Sequence, residues 1–146
     1  MAELPPDVRL ILVHKQKTSA RLRFLRFPHG MCAFTPLPAL SALEEEGEAG
    51  LGDSPPVVHH PSAWLRTAEA RLKLDGGSLK PEVEFHATAQ TPDGPVTVQL
   101  ASLDYVDPPF AEAEAVGGRF VAITEARGCT PVEMELLRRA YTAILG

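Results

Sequence analysis

The segment from Glu82 to Leu103 constrains this chain most. Val83, Phe85, Ala87 and Ala89 alternate with Glu82, Glu84, His86, Thr88 and Gln90. A period of two marks a strand with one buried and one solvated face. Thr91-Pro92-Asp93-Gly94 follows, a strong turn signal. Val96, Val98 and Leu100 then alternate with Thr97 and Gln99. The spacing predicts an antiparallel hairpin over residues 82–103.

Other segments read as further strands. Val8 to His14 is β-rich and almost continuously apolar, which predicts a strand buried on both faces. Residues 20–27 form a second, with Leu22 and Phe24 on one face and Arg21 and Arg23 on the other. The polar link at residues 15–19 suits a hairpin loop. Met31 to Thr35 reads as a short strand stopped by Pro36 and Pro38, and Ala39 to Glu48 as a short helix ending at Gly47 or Gly50. Residues 44–60 are acidic, then rich in Gly and Pro, and read as a mobile connection. Residues 62–74 carry both periods. Trp64, Leu65, Ala68 and Leu72 make a helical stripe, while Ala68, Ala70, Leu72 and Leu74 alternate. The reading adopted is a helical turn around Trp64 that passes into a strand. Another strand is expected over 119–125, after Gly117-Gly118.

The chain closes on its best helix. Thr130-Pro131-Val132-Glu133 places Thr at the N-cap, Pro at N1 and Glu at N3, a capping box. Leu136, Leu137, Ala140, Tyr141, Ile144 and Leu145 form an apolar stripe, and Glu135 is spaced to meet Arg139. Strands in runs with few helices argue an α+β fold. The expected architecture is a single domain over residues 1–146, with a mainly antiparallel sheet and this amphipathic helix packed on it. At 146 residues the chain has the size of one domain.

Charge is uneven. Residues 1–43 hold six Lys and Arg against Glu3 and Asp7, a net of +4, and the remainder carries −9. No apolar run reaches the roughly 18 residues that span a membrane. The start lacks a basic region followed by an apolar one, so a cytoplasmic protein is expected. Cys32 and Cys129 are distant and lack C-x-x-C spacing, which fits a reducing compartment.

Four clusters merit weighing. Lys15, Lys17, Arg21 and Arg23 can present cations on a strand face and its loop, for a protein partner or, through residues 9–26, for phosphates. The plainer reading is a solvated face, and the acidic balance without a nucleic-acid motif argues against nucleic acid. Cys129 precedes the helix N-terminus, where a thiolate is stabilised, and so is a candidate nucleophile. His86 is the candidate base, with His14, His29, His59 and His60 as other histidines. The plainer reading of Cys129 is a small linker residue. Adjacent His59 and His60 lack metal-ligand spacing, so no metal is assigned. Asp104, with Asp107, Glu112, Glu114 and Glu125, lies near strand ends, and Tyr105 and Phe110 can line a pocket there. Ordinary loop solvation explains the acids equally well.

No dinucleotide, phosphate-loop or nucleophile-elbow motif occurs, and no cofactor is assigned. The sequence points first to a non-catalytic accessory or interaction protein. It would dock a protein partner through the basic hairpin or the C-terminal helix, or form a homodimer through a sheet edge or that helix. The alternative is a small enzyme or ligand binder using Cys129, His86, Asp104 and Tyr105.

Overall fold

The structure, a computed structural model, describes residues 7–16, 21–38, 40–43, 61–82, 85, 87–126 and 128–145. They form one seven-stranded, mostly antiparallel sheet with helices on both faces. The strands are β1 (Val8–Lys15), β2 (Leu22–Arg26), β3 (Ala42–Leu43), β4 (Leu79–Pro81), β5 (Ala87–Thr91), β6 (Gly94–Leu103) and β7 (Arg119–Val121). The helices are α1 (Pro61–Leu72), α2 (Phe110–Ala115) and α3 (Pro131–Leu145), with one 3-10 turn at Ile123–Glu125.

The sheet runs β3-β5-β6-β1-β2-β7, and β4 also pairs with β6. The β1–β6 pair is parallel and every other pair is antiparallel. β4 and β5 follow one another along the same edge of β6. Leu79 opposes Leu103, and Ala87 opposes Val98. The hairpin foreseen over 82–103 is present between β5 and β6. Its first strand is interrupted before Ala87, where Phe85 N–H turns back to the Glu82 carbonyl at 3.1 Å. Val83, Glu84 and His86 lie outside the described residues. At the turn, Thr91 Oγ1 donates to the Gly94 carbonyl and accepts from Asp93 N–H, while Gly94 takes φ +114°.

β1 is buried from Val8 to His14, as its apolar run predicts. Side chains alternate across a strand. Ile11 and Val13 therefore join Phe24, Val98, Leu100, Leu136, Leu137 and Ala140 under α3. Leu10 and Leu12 join Leu25, Leu65, Ala68, Leu72, Ala101 and Ala113 under α1 and α2.

Several local expectations are corrected. Residues 61–72 are helical throughout, because Leu65, Ala68 and Leu72 meet the sheet on the helical period. Lys73 ends the helix at φ +58°, and its N–H bonds the Ala70 carbonyl while Leu74 N–H bonds that of Glu69. This pair of bonds is a Schellman stop, which removes any strand into Asp75. Ala42–Leu43 is a strand paired with β5, where a helix over 39–48 was expected. Ala39 and residues 44–60, the expected mobile connection, lie outside the described residues. Met31 to Thr35 forms no strand beyond a bridge between Ala33 and Leu10. The strand expected over 119–125 ends at Val121 and passes into the 3-10 turn. Helix α2 was not foreseen; Gly117, at φ +74°, terminates it.

α3 matches its expected span and cap. Thr130 Oγ1 accepts the Glu133 N–H at 3.3 Å, and Thr130 N–H reaches Glu133 Oε1 at 3.4 Å. One detail differs: Tyr141 is 43% exposed and so falls outside the buried stripe. Glu135 meets Arg138, at 3.6 Å.

Each main helix also carries one buried glutamate. Glu133 accepts the Met31 N–H at 2.8 Å, and Glu69 accepts the Leu79 N–H at 2.8 Å. Arg66 completes the second clasp, bonding Glu69 at 2.9 Å and the Leu79 carbonyl at 3.2 Å. Gly30 leaves room for the first: a Cβ there would lie 2.5 Å from Glu133 Oε2, at a backbone φ of +142°.

Three substitutions test these clasps by urea unfolding. Glu69→Ala leaves the Leu79 N–H buried without an acceptor and is expected to cost about 1–3 kcal/mol. Arg66→Ala, at a half-exposed ion pair, should cost less than about 1 kcal/mol. Gly30→Ala combines backbone strain with a clash and is expected to cost about 2–4 kcal/mol. A Gly30→Ala protein as stable as the parent would show that the carboxylate is not seated against Gly30.

Candidate functional site

β1 and β6 are parallel, so their carboxyl ends meet at one end of the sheet. A cleft of about 510 Å³ opens there, lined by Lys15, Lys80, Glu82, Ser102, Leu103, Asp104, Tyr105 and Ile144. Strand alternation explains the lining. Lys15 follows Ile11 and Val13, and Ser102 follows Val98 and Leu100, so both face the α3 side. Lys80 sits opposite Ser102 across the β4–β6 pair and shares that face. Ile144, near the last turn of α3, forms the far wall.

The floor is fixed by backbone bonds. Asp104 N–H donates to the Ser78 carbonyl at 2.7 Å. The His14 ring is buried, and its Nε2 lies 2.8 Å from the Tyr105 carbonyl. A carbonyl only accepts, so Nε2 carries the proton. The Tyr105 hydroxyl accepts from Asp75 N–H at 3.0 Å. His14 and the Tyr105 hydroxyl thus hold the loop in place. The side chains of Lys15, Lys80, Glu82 and Asp104 form no ion pair with another described residue.

The structure brings Lys15, Asp104 and Tyr105, predicted for two separate sites, into this one cleft. It separates others. Arg21 and Arg23 alternate with Leu22 and Phe24, so they lie on the sheet face opposite Lys15. The four cations therefore do not share a face; Lys17 lies outside the described residues. Arg9 is buried, with its guanidinium donating to the Pro36 and Val8 carbonyls.

Cys129 precedes α3 while Ile144 lies near its other end, so the cysteine and the cleft are separated by roughly the helix length of ~20 Å. One pocket does not serve Cys129 and Asp104 together. His86, His59 and His60 lie outside the described residues, and His29 is engaged, with Nε2 2.6 Å from the Cys32 carbonyl and its ring stacked on Phe27. The electrostatics at Cys129 also run against the expectation of a stabilised thiolate. Burial raises the thiol above its ordinary 9.0, the Glu133 carboxylate raises it further, and Arg26 opposes them only in part. Cys32 is pushed up to about 12, first by burial and then by Glu133.

Sequence reasoning missed Lys80, Ser102 and Ile144. Only the β4–β6 register puts Lys80 beside Ser102, and Leu79-Lys80-Pro81 is too short to show a period. Among the described residues no three His, Cys, Asp or Glu side chains converge as metal ligands. Nor is any described helix long and apolar enough to cross a membrane. No protein-family model matches this chain, and no curated protein is significantly similar to it.

The raised thiols have a measurable consequence. The unfolded chain releases the Cys32 proton near 9.0, whereas the folded chain holds it to about 12. Between those values the native state binds more protons, so stability falls as pH climbs through the window. Urea midpoints measured across that range should decline in the parent and flatten in Cys32→Ala. Alkylation of Cys129 should be slow at neutral pH and accelerate above 9.0. Rapid alkylation at neutral pH would contradict the placement of Glu133.

Proposed function

We propose that this chain is a non-catalytic accessory or interaction protein that docks a protein partner in the cleft at the strand ends. One observation carries the reading: the cleft unites Lys15, at the base of the basic hairpin, with Ile144, from the C-terminal helix. These are the two elements that charge asymmetry and amphipathicity single out in the sequence. Lys80 adds a second cation, and Glu82 and Asp104 add carboxylates. Charges on an open rim steer and orient a partner, while Ile144 offers it apolar contact. A partner segment bearing both signs of charge and an apolar anchor fits this lining. The volume supports a second reading, a small-ligand binder, since ligand pockets measure roughly 300–1,000 Å³.

The test is native mass spectrometry and chemical cross-linking of the untagged protein, gently purified from its own cells. A partner chain or second copy cross-linked at Lys15 and Lys80 is expected, with release as salt is raised. Lys15→Glu combined with Lys80→Glu should weaken that complex by at least roughly tenfold without shifting the thermal midpoint. A bound small molecule without a partner chain would favour the second reading. A complex insensitive to both lysines would overturn the proposed docking site.

A further inference from the structure

We propose that Cys32 and Cys129 are a dithiol pair that closes to a disulfide by exchange with a low-molecular-weight disulfide, reversibly fastening the loop after β2 to the start of α3. The two cysteines stand 97 positions apart in the chain. The fold brings both to one carboxylate. Glu133 Oε2 accepts the N–H of Met31, which precedes Cys32, at 2.8 Å. Glu133 Oε1 accepts the N–H of Thr130, which follows Cys129, at 3.4 Å. Both cysteines are free, and both pack into the cluster beneath α3. The charge of Cys129 also reaches the buried Cys32 sulfur. Neither sits in a helix or strand, and a disulfide between them needs a Cα separation of roughly 4.4–6.8 Å.

Their exposures assign an order of events. Cys32 is fully buried and Cys129 half-buried, so a reagent meets Cys129 first. With oxidised glutathione, Cys129 gives its proton to solvent and its thiolate attacks one glutathione sulfur. The glutathione S–S bond breaks, and one glutathione leaves as a thiolate that takes up a proton. Cys32 then deprotonates and attacks the Cys129 sulfur of the mixed disulfide, and the second glutathione leaves in the same way. Two protein thiols lose two electrons, and one disulfide becomes two thiols.

The groups facing the pair set its threshold. Burial and the Glu133 carboxylate keep both thiols protonated near neutral pH, while Arg9 acts oppositely on Cys32 and Arg26 on Cys129. Arg127 lies outside the described residues. The pair thus closes slowly at neutral pH and faster as pH rises.

The experiment incubates the full chain with oxidised glutathione above pH 9.0, the ordinary thiol value, and follows intact mass and peptide maps. The parent is expected to lose the mass of two hydrogens and yield a linked Cys32–Cys129 peptide. Its thermal midpoint should rise, and should return on reduction. Cys32→Ser should stop with glutathione held on Cys129, and Cys129→Ser should react only after unfolding. Glu133→Gln should hasten the first step at neutral pH. A parent that retains glutathione as Cys32→Ser does, links between chains through Cys129, or reacts only when unfolded overturns the proposal.

Discussion

Everything in this fold depends on β1 being buried on both sides. A strand without a solvated face needs a strand on each flank and a layer above and below. The chain supplies β2 and β6 as neighbours, α3 on one face, and α1 with α2 on the other. Burying apolar surface stabilises by about 25 cal/mol per Å², and this strand buries both of its faces. The neighbours are recruited from both halves of the sequence, so the basic N-terminal strands share one sheet with the later ones.

The two faces are fastened by the same device. On each, a helix carries a glutamate that is almost wholly buried and receives a backbone N–H from a segment with little regular pairing of its own. A hydrogen bond to a charged acceptor is stronger than a neutral one. Its partner N–H would otherwise be stranded in a low-dielectric interior. The carboxylates therefore select position: hydrophobic contact alone would let a helix slide, whereas a fixed N–H does not. On the α3 side, the same carboxylate also closes the helix cap, so one group sets the start of the helix and its docking.

What could be read from the residues alone divides along physical lines. The β5–β6 hairpin, the buried β1 and the capped α3 were legible because their signals are local: a period of two, an unbroken apolar run, a Thr-x-x-Glu spacing. Helix α1 was half legible. Its composition favoured helix, but alternating Ala and Leu imitated a strand, and only contact with the sheet decides between them. The cleft was the least legible. Asp104 and Tyr105 follow a strand end that could be foreseen, yet their meeting with Lys15, Lys80 and Ile144 depends on strand order. The parallel β1–β6 pair that creates the cleft has no mark in either strand. Glu133 shows a different limit: its capping role is written within four residues, whereas its hold on Met31 spans a separation of 102.

The β1–β6 pairing also bears on how the protein is made. Val8 lies against Thr97, so β1 emerges from a ribosome 89 residues before its central neighbour. At ordinary synthesis rates that interval is roughly 5–20 s. For that time β1 has only β2 to shelter it, and a highly apolar strand waits with one edge open. Arg9, Arg21, Arg23 and Lys15 lie on or beside those two strands. Their mutual repulsion between nascent chains on one message would keep neighbouring copies from pairing through that edge. Like charge beside an open strand edge disfavours such edge-to-edge pairing.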